Sequence, residues 1–239
     1  MYLKSQIPNL LTLSNLLCGI LSLYFTSQNQ PEFGAWLILF GAGFDFLDGL
    51  IARALGVDGE LGRQLDSLAD MVSFGAAPTF LALQFNGVFT DSLQSNWKVL
   101  ALFLPIILAA FSAYRLGKFN IDTRQSNRFI GLPTPANALF WVSIVLAEEV
   151  NGLLGWDFLV NTLAIFRQST GLVDFAAILL GILMVSEIPL LALKFHGKVD
   201  NKRSKIALLA LGSGLFILFG FSSVPIVLLL YFILSIIAK

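Results

Sequence analysis

The 239-residue chain has one cysteine, one histidine and little charge, and each shortage removes a class of explanation. Cys18 is the sole cysteine, so a disulfide within the chain is excluded. Cys18 and His196 alone cannot supply the nitrogen and sulfur ligands of a structural zinc site. Charged residues make up 13% of the chain, against about 25% in a typical soluble domain. Fifteen basic and fifteen acidic residues cancel to a formal net charge of zero, so no global basic field points to nucleic acid. Gly212-Ser213-Gly214 does not continue into a dinucleotide-binding fingerprint. Cys18 follows Leu17 where a lipoprotein processing site needs a small residue, and it reads as a packed thiol.

What remains is largely hydrocarbon: 56% of residues are hydrophobic and the mean hydropathy is +0.81. Apolar runs near the ~20 residues that span a bilayer recur along the whole length. The fold class expected is all-α, a single polytopic membrane domain over 1–239. About eight helices are expected, near 7–26, 33–54, 70–88, 98–117, 135–155, 172–194, 205–221 and 224–238. The first run resembles a signal peptide, but no small-x-small site follows it, so it reads as a retained helix. The last two runs are short and meet at Ser222-Ser223-Val224-Pro225, which suits a hairpin. Glu187 and Pro189 fall inside the expected sixth helix, as a kink or as a contact for an internal partner.

The basic residues are distributed unevenly about these spans. With a cytoplasmic N-terminus, one side receives Lys4, Arg53, Arg63, Arg115, Lys118, Arg124, Arg128, Lys194, Lys198, Lys202, Arg203, Lys205 and Lys239. The other side receives Lys98 and Arg167. The positive-inside rule then puts both termini in the cytoplasm of a multi-pass cell-membrane protein.

Four aspartates interrupt the apolar background in one window, Asp45 to Asp70. It reads D-x2-D-G-x2-A-R-x8-G-x3-D-x3-D, with Gly49, Ala52, Arg53 and Gly62 at the remaining defined positions. Residues three or four apart share a helical face, so Asp45 pairs with Asp48 and Asp66 with Asp70. Carboxylates are costly in a membrane and repel one another when gathered. Hard divalent cations such as Mg2+ or Mn2+ would neutralise them. The competing explanation is ion pairing with Arg53 and Arg63, which would cover two acids and leave two. Gly49, Ala52 and Gly62 stand one turn from the acids and leave room for a flat base or a diphosphate; small residues also serve helix packing.

This window resembles the signature of the CDP-alcohol phosphotransferases at every defined position. The resemblance implies a six-helix catalytic core, placed at 7–195, and an accessory C-terminal hairpin at 204–238. It implies that Asp45, Asp48, Asp66 and Asp70 surround two metal ions, Mg2+ or Mn2+. It further implies that Asp45, Asp48, Gly49, Ala52, Arg53 and Gly62 line the cytidine diphosphate pocket, that Asp70 is the general base, and that the chain forms a homodimer.

Flanking segments narrow the acceptor. Ile7-Pro8-Asn9 to Cys18-Gly19, Asp66-Ser67 to Ala77-Pro78, Tyr114-Arg115-Leu116-Gly117-Lys118-Phe119-Asn120 and Phe129-Ile130-Gly131-Leu132-Pro133-Thr134-Pro135-Ala136 are similar to the branch of this family that joins CDP-diacylglycerol to L-serine. The usual branch sequence has Ala-Arg where this chain has Gly117-Lys118, and lysine lacks the planar fork of arginine. Arg115, Asn120 and Thr134 are the expected serine contacts. Arg115 has an alternative reading as a snorkelling anchor, and Gly131 to Pro135 as a plain helix start. Asn15 reads either as a group near the nucleotide or as a bond to another helix. Competing functions are the same chemistry with inositol phosphate, glycerol phosphate or choline, and, from another class, a cation transporter using the intramembrane acids.

Overall fold

The computed structural model describes residues 2–57, 59–89, 103–122, 129–150, 152–154, 157–191 and 202–237. The first two helices, α1 (Tyr2–Ser27) and α2 (Pro31–Leu55), form a closely packed antiparallel pair. Pro31 opens α2, where its fixed φ suits the first turn and no N–H is needed. Gly56, with φ 61°, closes it in the left-handed conformation, and its N–H and that of Val57 bond back to Arg53 and Ala52 carbonyls. That stop turns the chain into α3 (Glu60–Asp70), which continues through a π-helical turn (Met71–Ala76) into α4 (Ala77–Phe85).

After a 3-10 turn at Leu104–Ile106 come α5 (Ile107–Ile121) and α6 (Thr134–Leu146). Then follow α7 (Asp157–Gln168) and α8 (Thr170–Val185), which meet at 93° around Ser169. The chain ends with α9 (Lys202–Phe219), a 3-10 turn at Gly220–Ser223, and α10 (Val224–Ile237). The fold class is all-α, as expected.

The polarity of α1 is arranged for lipid. Thr12, Asn15, Ser22 and Thr26 are buried, while Leu10, Leu13, Leu17, Leu21 and Tyr24 face outward. Large apolar side chains on the outside and polar ones inside are what a helix in hydrocarbon requires. The core itself lies where α2, α4, α6 and α8 converge, around Ile38, Leu81, Trp141, Val173 and Met184.

Among the described residues, four runs are long and apolar enough to cross a membrane: Gln6–Ser27, Pro31–Leu55, Glu60–Phe85 and Ser204–Ile236. The bent pair α7 and α8 makes a fifth if taken as one broken span. The Ser204–Ile236 run is folded back on itself, since a Cβ on Gly212 would lie 3.3 Å from Val227. The described residues thus contain four or five such runs of the eight expected from composition. The expected 135–155 helix stops at Leu146, ahead of Glu148 and Glu149, and the start of the expected 98–117 helix lies outside the described residues.

The expected 172–194 helix ends at Val185, with Ser186 already extended. Glu187 and Pro189 therefore kink nothing. Pro189–Leu190 instead pairs antiparallel with Phe129–Ile130, and Glu187 forms an ion pair with Lys118 at 3.3 Å. His196 and its basic neighbours lie outside the described residues.

Candidate active site

α1, α2 and α3 build the site between them. Carboxylate oxygens of Asp45 and Asp48 from α2 and Asp66 from α3 all lie within 4.8 Å of one another. Asp70, one turn beyond Asp66, is within hydrogen-bonding reach of Asp45. All four acids named from the sequence therefore converge.

They arrive late in α2 but well inside α3, because α3 begins at Glu60 rather than near Asp70. The helix expected from 70 onward is thus the second half of a longer run. Its first turns are too polar to register as a span by hydropathy alone.

The third helix, α1, supplies the polar ties. Thr12 donates its hydroxyl hydrogen to Asp48 Oδ2. Asn15, fully buried, donates from Nδ2 to Asp70 Oδ1 at 3.4 Å. Asn15 thus belongs to the acid cluster rather than to the open cleft beside it. The Ser73 hydroxyl in turn bonds the Asn15 carbonyl at 2.9 Å. This last contact needs Gly19, where any Cβ would lie 2.5 Å from the Ser73 hydroxyl oxygen and 2.9 Å from its Cα.

Beside the acids lies a cleft of about 210 Å3. Asp48, Gly49, Ala52, Arg53, Gly62 and Asp66 line it, together with Pro8, Asn9, Thr12, Val57, Gly59 and Arg63. The small residues named from the sequence are therefore walls of one cavity. A Cβ on Gly49 would come within 3.2 Å of Arg53 Nη1, so the guanidinium lies close over that glycine. Among the described residues neither Arg53 nor Arg63 forms an ion pair with any of the four acids; the ion pairs are Lys118–Glu187 and Arg167–Glu148. Arg53 lies within electrostatic range of Asp48 alone, so the arginines leave most of the cluster's charge for a cation from outside.

The donor set fits a hard divalent metal. It offers only carboxylate oxygens, on rigid helices, gathered closely enough to share an ion.

The three expected acceptor contacts are placed differently from one another. Arg115 is buried at 7% exposure, within electrostatic range of Asp70 and Tyr231, with its guanidinium 5.7 Å from the Phe119 ring centroid. Burial beside an acid of the cluster is not the position of a snorkelling anchor. Thr134, in the first turn of α6, is fully buried, and its hydroxyl has no partner among the described residues. Asn120 is exposed and exchanges hydrogen bonds with Ser67, donating at 2.9 Å. It ties α5 to α3 on the surface, unlike the buried Arg115 and Thr134.

Thr12, Asn9 and Tyr231 carry no role in the sequence pattern described above. For the first two a signal existed: Asn9, Thr12 and Asn15 recur every third residue in an otherwise apolar run, hence on one face. Nothing in the sequence tied Tyr231 to a site more than a hundred residues earlier.

Comparison with known proteins bears on this geometry directly. The CDP-alcohol phosphatidyltransferase family matches the chain over residues 5–238. The chain belongs to that family. It is 33% identical over 183 residues to the CDP-diacylglycerol–serine O-phosphatidyltransferase of Helicobacter pylori, covering 76% of this chain and 70% of that one. It is 34% identical over 182 residues to the protein of the same name from Methanocaldococcus jannaschii, covering 76% and 72%. The Bacillus subtilis protein of that name is 33% identical over 131 residues, 55% of this chain and 70% of its own. Membership of a metal-dependent family of polytopic enzymes agrees with the carboxylate cluster and the apolar helices.

Proposed function

We propose that the protein is a CDP-diacylglycerol–serine O-phosphatidyltransferase, a phosphatidylserine synthase. It transfers the phosphatidyl group from CDP-diacylglycerol to the hydroxyl of L-serine and releases CMP. The observation that carries this reading is the convergence of Asp45, Asp48, Asp66 and Asp70 beside a cleft walled by Gly49, Ala52 and Gly62. The relatives' shared name selects serine within the family.

In this reading the four aspartates would hold two Mg2+ or Mn2+ ions, which would supply charge neutralisation for the diphosphate and for departing CMP. Gly49, Ala52 and Gly62 admit the cytidine diphosphate close to the helix backbones. Arg53, and Arg63 with it, meet its phosphates with charge-assisted bonds. Asp70 takes the proton from the serine hydroxyl as that oxygen forms its bond to phosphorus. Asn15 holds Asp70 in place for this step. Arg115 receives the serine carboxylate, and Thr134 adds a hydroxyl to the same pocket. Much of the rate enhancement then comes from positioning two bound substrates together.

The active site and both termini face the cytoplasm of the cell membrane, the side that the basic residues mark. The working form is a homodimer, as the family resemblance implies. The 204–238 segment is an accessory hairpin outside the 7–195 catalytic core.

Purified protein supplied with CDP-diacylglycerol, Mn2+ and either labelled serine, inositol phosphate, glycerol phosphate or choline tests the reading. Serine-dependent CMP release with a labelled lipid product is expected. Turnover of another alcohol with none of serine would overturn it. A cation transporter using the same acids would release no CMP at all.

A further inference from the structure

The beginning of α6 carries two polar side chains that the fold buries completely and leaves incompletely bonded. Thr134 and Asn137 are three residues apart, hence on one face of the helix, and neither is exposed. Among the described residues, the Thr134 hydroxyl and Asn137 Nδ2 find no hydrogen-bond partner.

The other end of the Asn137 amide is fixed. Trp141, one turn on, donates its indole N–H to Asn137 Oδ1 at 3.2 Å. An indole nitrogen can only donate, so the amide oxygen must face Trp141 and the amide nitrogen must face away. Trp141 is itself fully buried, with the Phe85, Phe140 and Phe166 rings against it. Packing therefore sets which way the amide points.

A buried donor without an acceptor is costly, and each such group calls for a physical reason. α6 packs on the π-helical turn that directly follows Asp70, and on α5, which carries Arg115. Arg115 Nε is likewise buried without a partner among the described residues. Adjoining helices thus hold buried donors in want of an acceptor, on elements that pack against the turn following Asp70 and against the helix of Arg115.

We propose that Asn137 is a specificity-determining residue of the acceptor site, where its Nδ2 donates to the carboxylate of an amino-acid alcohol that Arg115 and Thr134 also bind. This rests on the reading of serine as acceptor and names a group by which serine is told from simpler alcohols. An alcohol without a carboxylate leaves these donors unpaired, and a site built to bond a group rejects analogues lacking it. Trp141 is a positioning residue, acting through the amide it orients.

Steady-state kinetics of the full-length protein with CDP-diacylglycerol, Mn2+ and either serine or serinol, which lacks the carboxylate, tests this. Asn137→Asp sets a second carboxylate against the first. It is expected to raise the KM for serine about 10-fold or more, leave the KM for CDP-diacylglycerol unchanged, and narrow the preference for serine over serinol. Trp141→Phe alone frees the amide to turn over and gives a smaller rise. Asn137→Leu combined with Trp141→Phe removes both bonded partners at once, so no buried polar group is left unpaired; the smaller ring lowers Tm, and the folded variant still loses serine affinity. An unchanged KM for serine in this double variant overturns the inference, even where Asn137→Asp fails to fold. Wild-type protein that turns over serine while every Asn137 variant matches it leaves the acceptor reading standing and removes Asn137 from it. Wild-type protein that ignores serine overturns the acceptor reading itself.

Discussion

Thr12 on α1 and Asp48 on α2 are joined by a hydrogen bond across 36 positions of sequence, the hydroxyl donating to Oδ2. That bond orients one acid of the cluster from a neighbouring helix. Groups that orient metal-binding carboxylates are worth about 10- to 100-fold in metal affinity. Thr12→Val keeps the branched shape and deletes the donor. It is expected to raise the Mn2+ concentration giving half-maximal CMP release by about 10-fold, with recovery of turnover at saturating metal. A metal dependence identical to wild type would remove Thr12 from the site.

Asp70 stands apart from the other acids in its partner, Asn15, which is buried and does not line the open cleft. Asp70→Asn preserves size and still permits an amide contact to Asn15. CMP release is expected to fall by at least about 100-fold, the scale of losing a positioned general base, while thermal stability changes little. Normal CMP release from a folded variant would rule out Asp70 as the base.

Gly19 is the point where α1 meets the π-helical turn, and Ser73 leaves no space there for a side chain. Gly19→Leu forces the two helices apart and strains the Asn15–Ser73 tie behind Asp70. Overpacking of this kind costs about 1–3 kcal/mol. A lowered Tm together with reduced turnover is expected, whereas Gly43→Leu, at a position with open space around it, should leave Tm unchanged. Equal Tm values for the two variants would show that α1 does not need this close approach.

Much of the site was legible because its spacing is local. Asp45 with Asp48, and Asp66 with Asp70, each lie on one helix face, and Gly56 in the left-handed conformation lets the chain reverse between them. Within-helix periodicity therefore reports the carboxylates, while a contact such as Thr12–Asp48 depends on how α1 leans on α2. Tyr231 shows the limit more sharply. It donates to the Leu191 carbonyl at 3.0 Å and sits within electrostatic range of Arg115, through a hairpin whose docking no local pattern encodes. Helix count was the least legible quantity. Apolar composition does not distinguish a full span from the 13-residue α6, nor a continuous helix from the 93° break between α7 and α8.

The single cysteine makes the orientation directly measurable. Cys18 lies within the apolar run Gln6–Ser27 of α1, and Cys18→Ala gives a background free of thiols. Gln28 and Gly59 are exposed at opposite ends of the α1–α2 pair, Gln28 in the turn after α1 and Gly59 in the turn after α2. In that background, Gln28→Cys and Gly59→Cys each offer one reactive thiol. With the active site cytoplasmic, an impermeant maleimide should label Gln28→Cys in intact cells and Gly59→Cys only after permeabilisation. The basic residues demand this result, because Arg53 and Arg63 flank Gly59 on the side expected to retain positive charge. The reverse labelling pattern would place the acid cluster and its cleft on the outer face, away from cytoplasmic nucleotide-linked lipid, and would sink the proposed orientation.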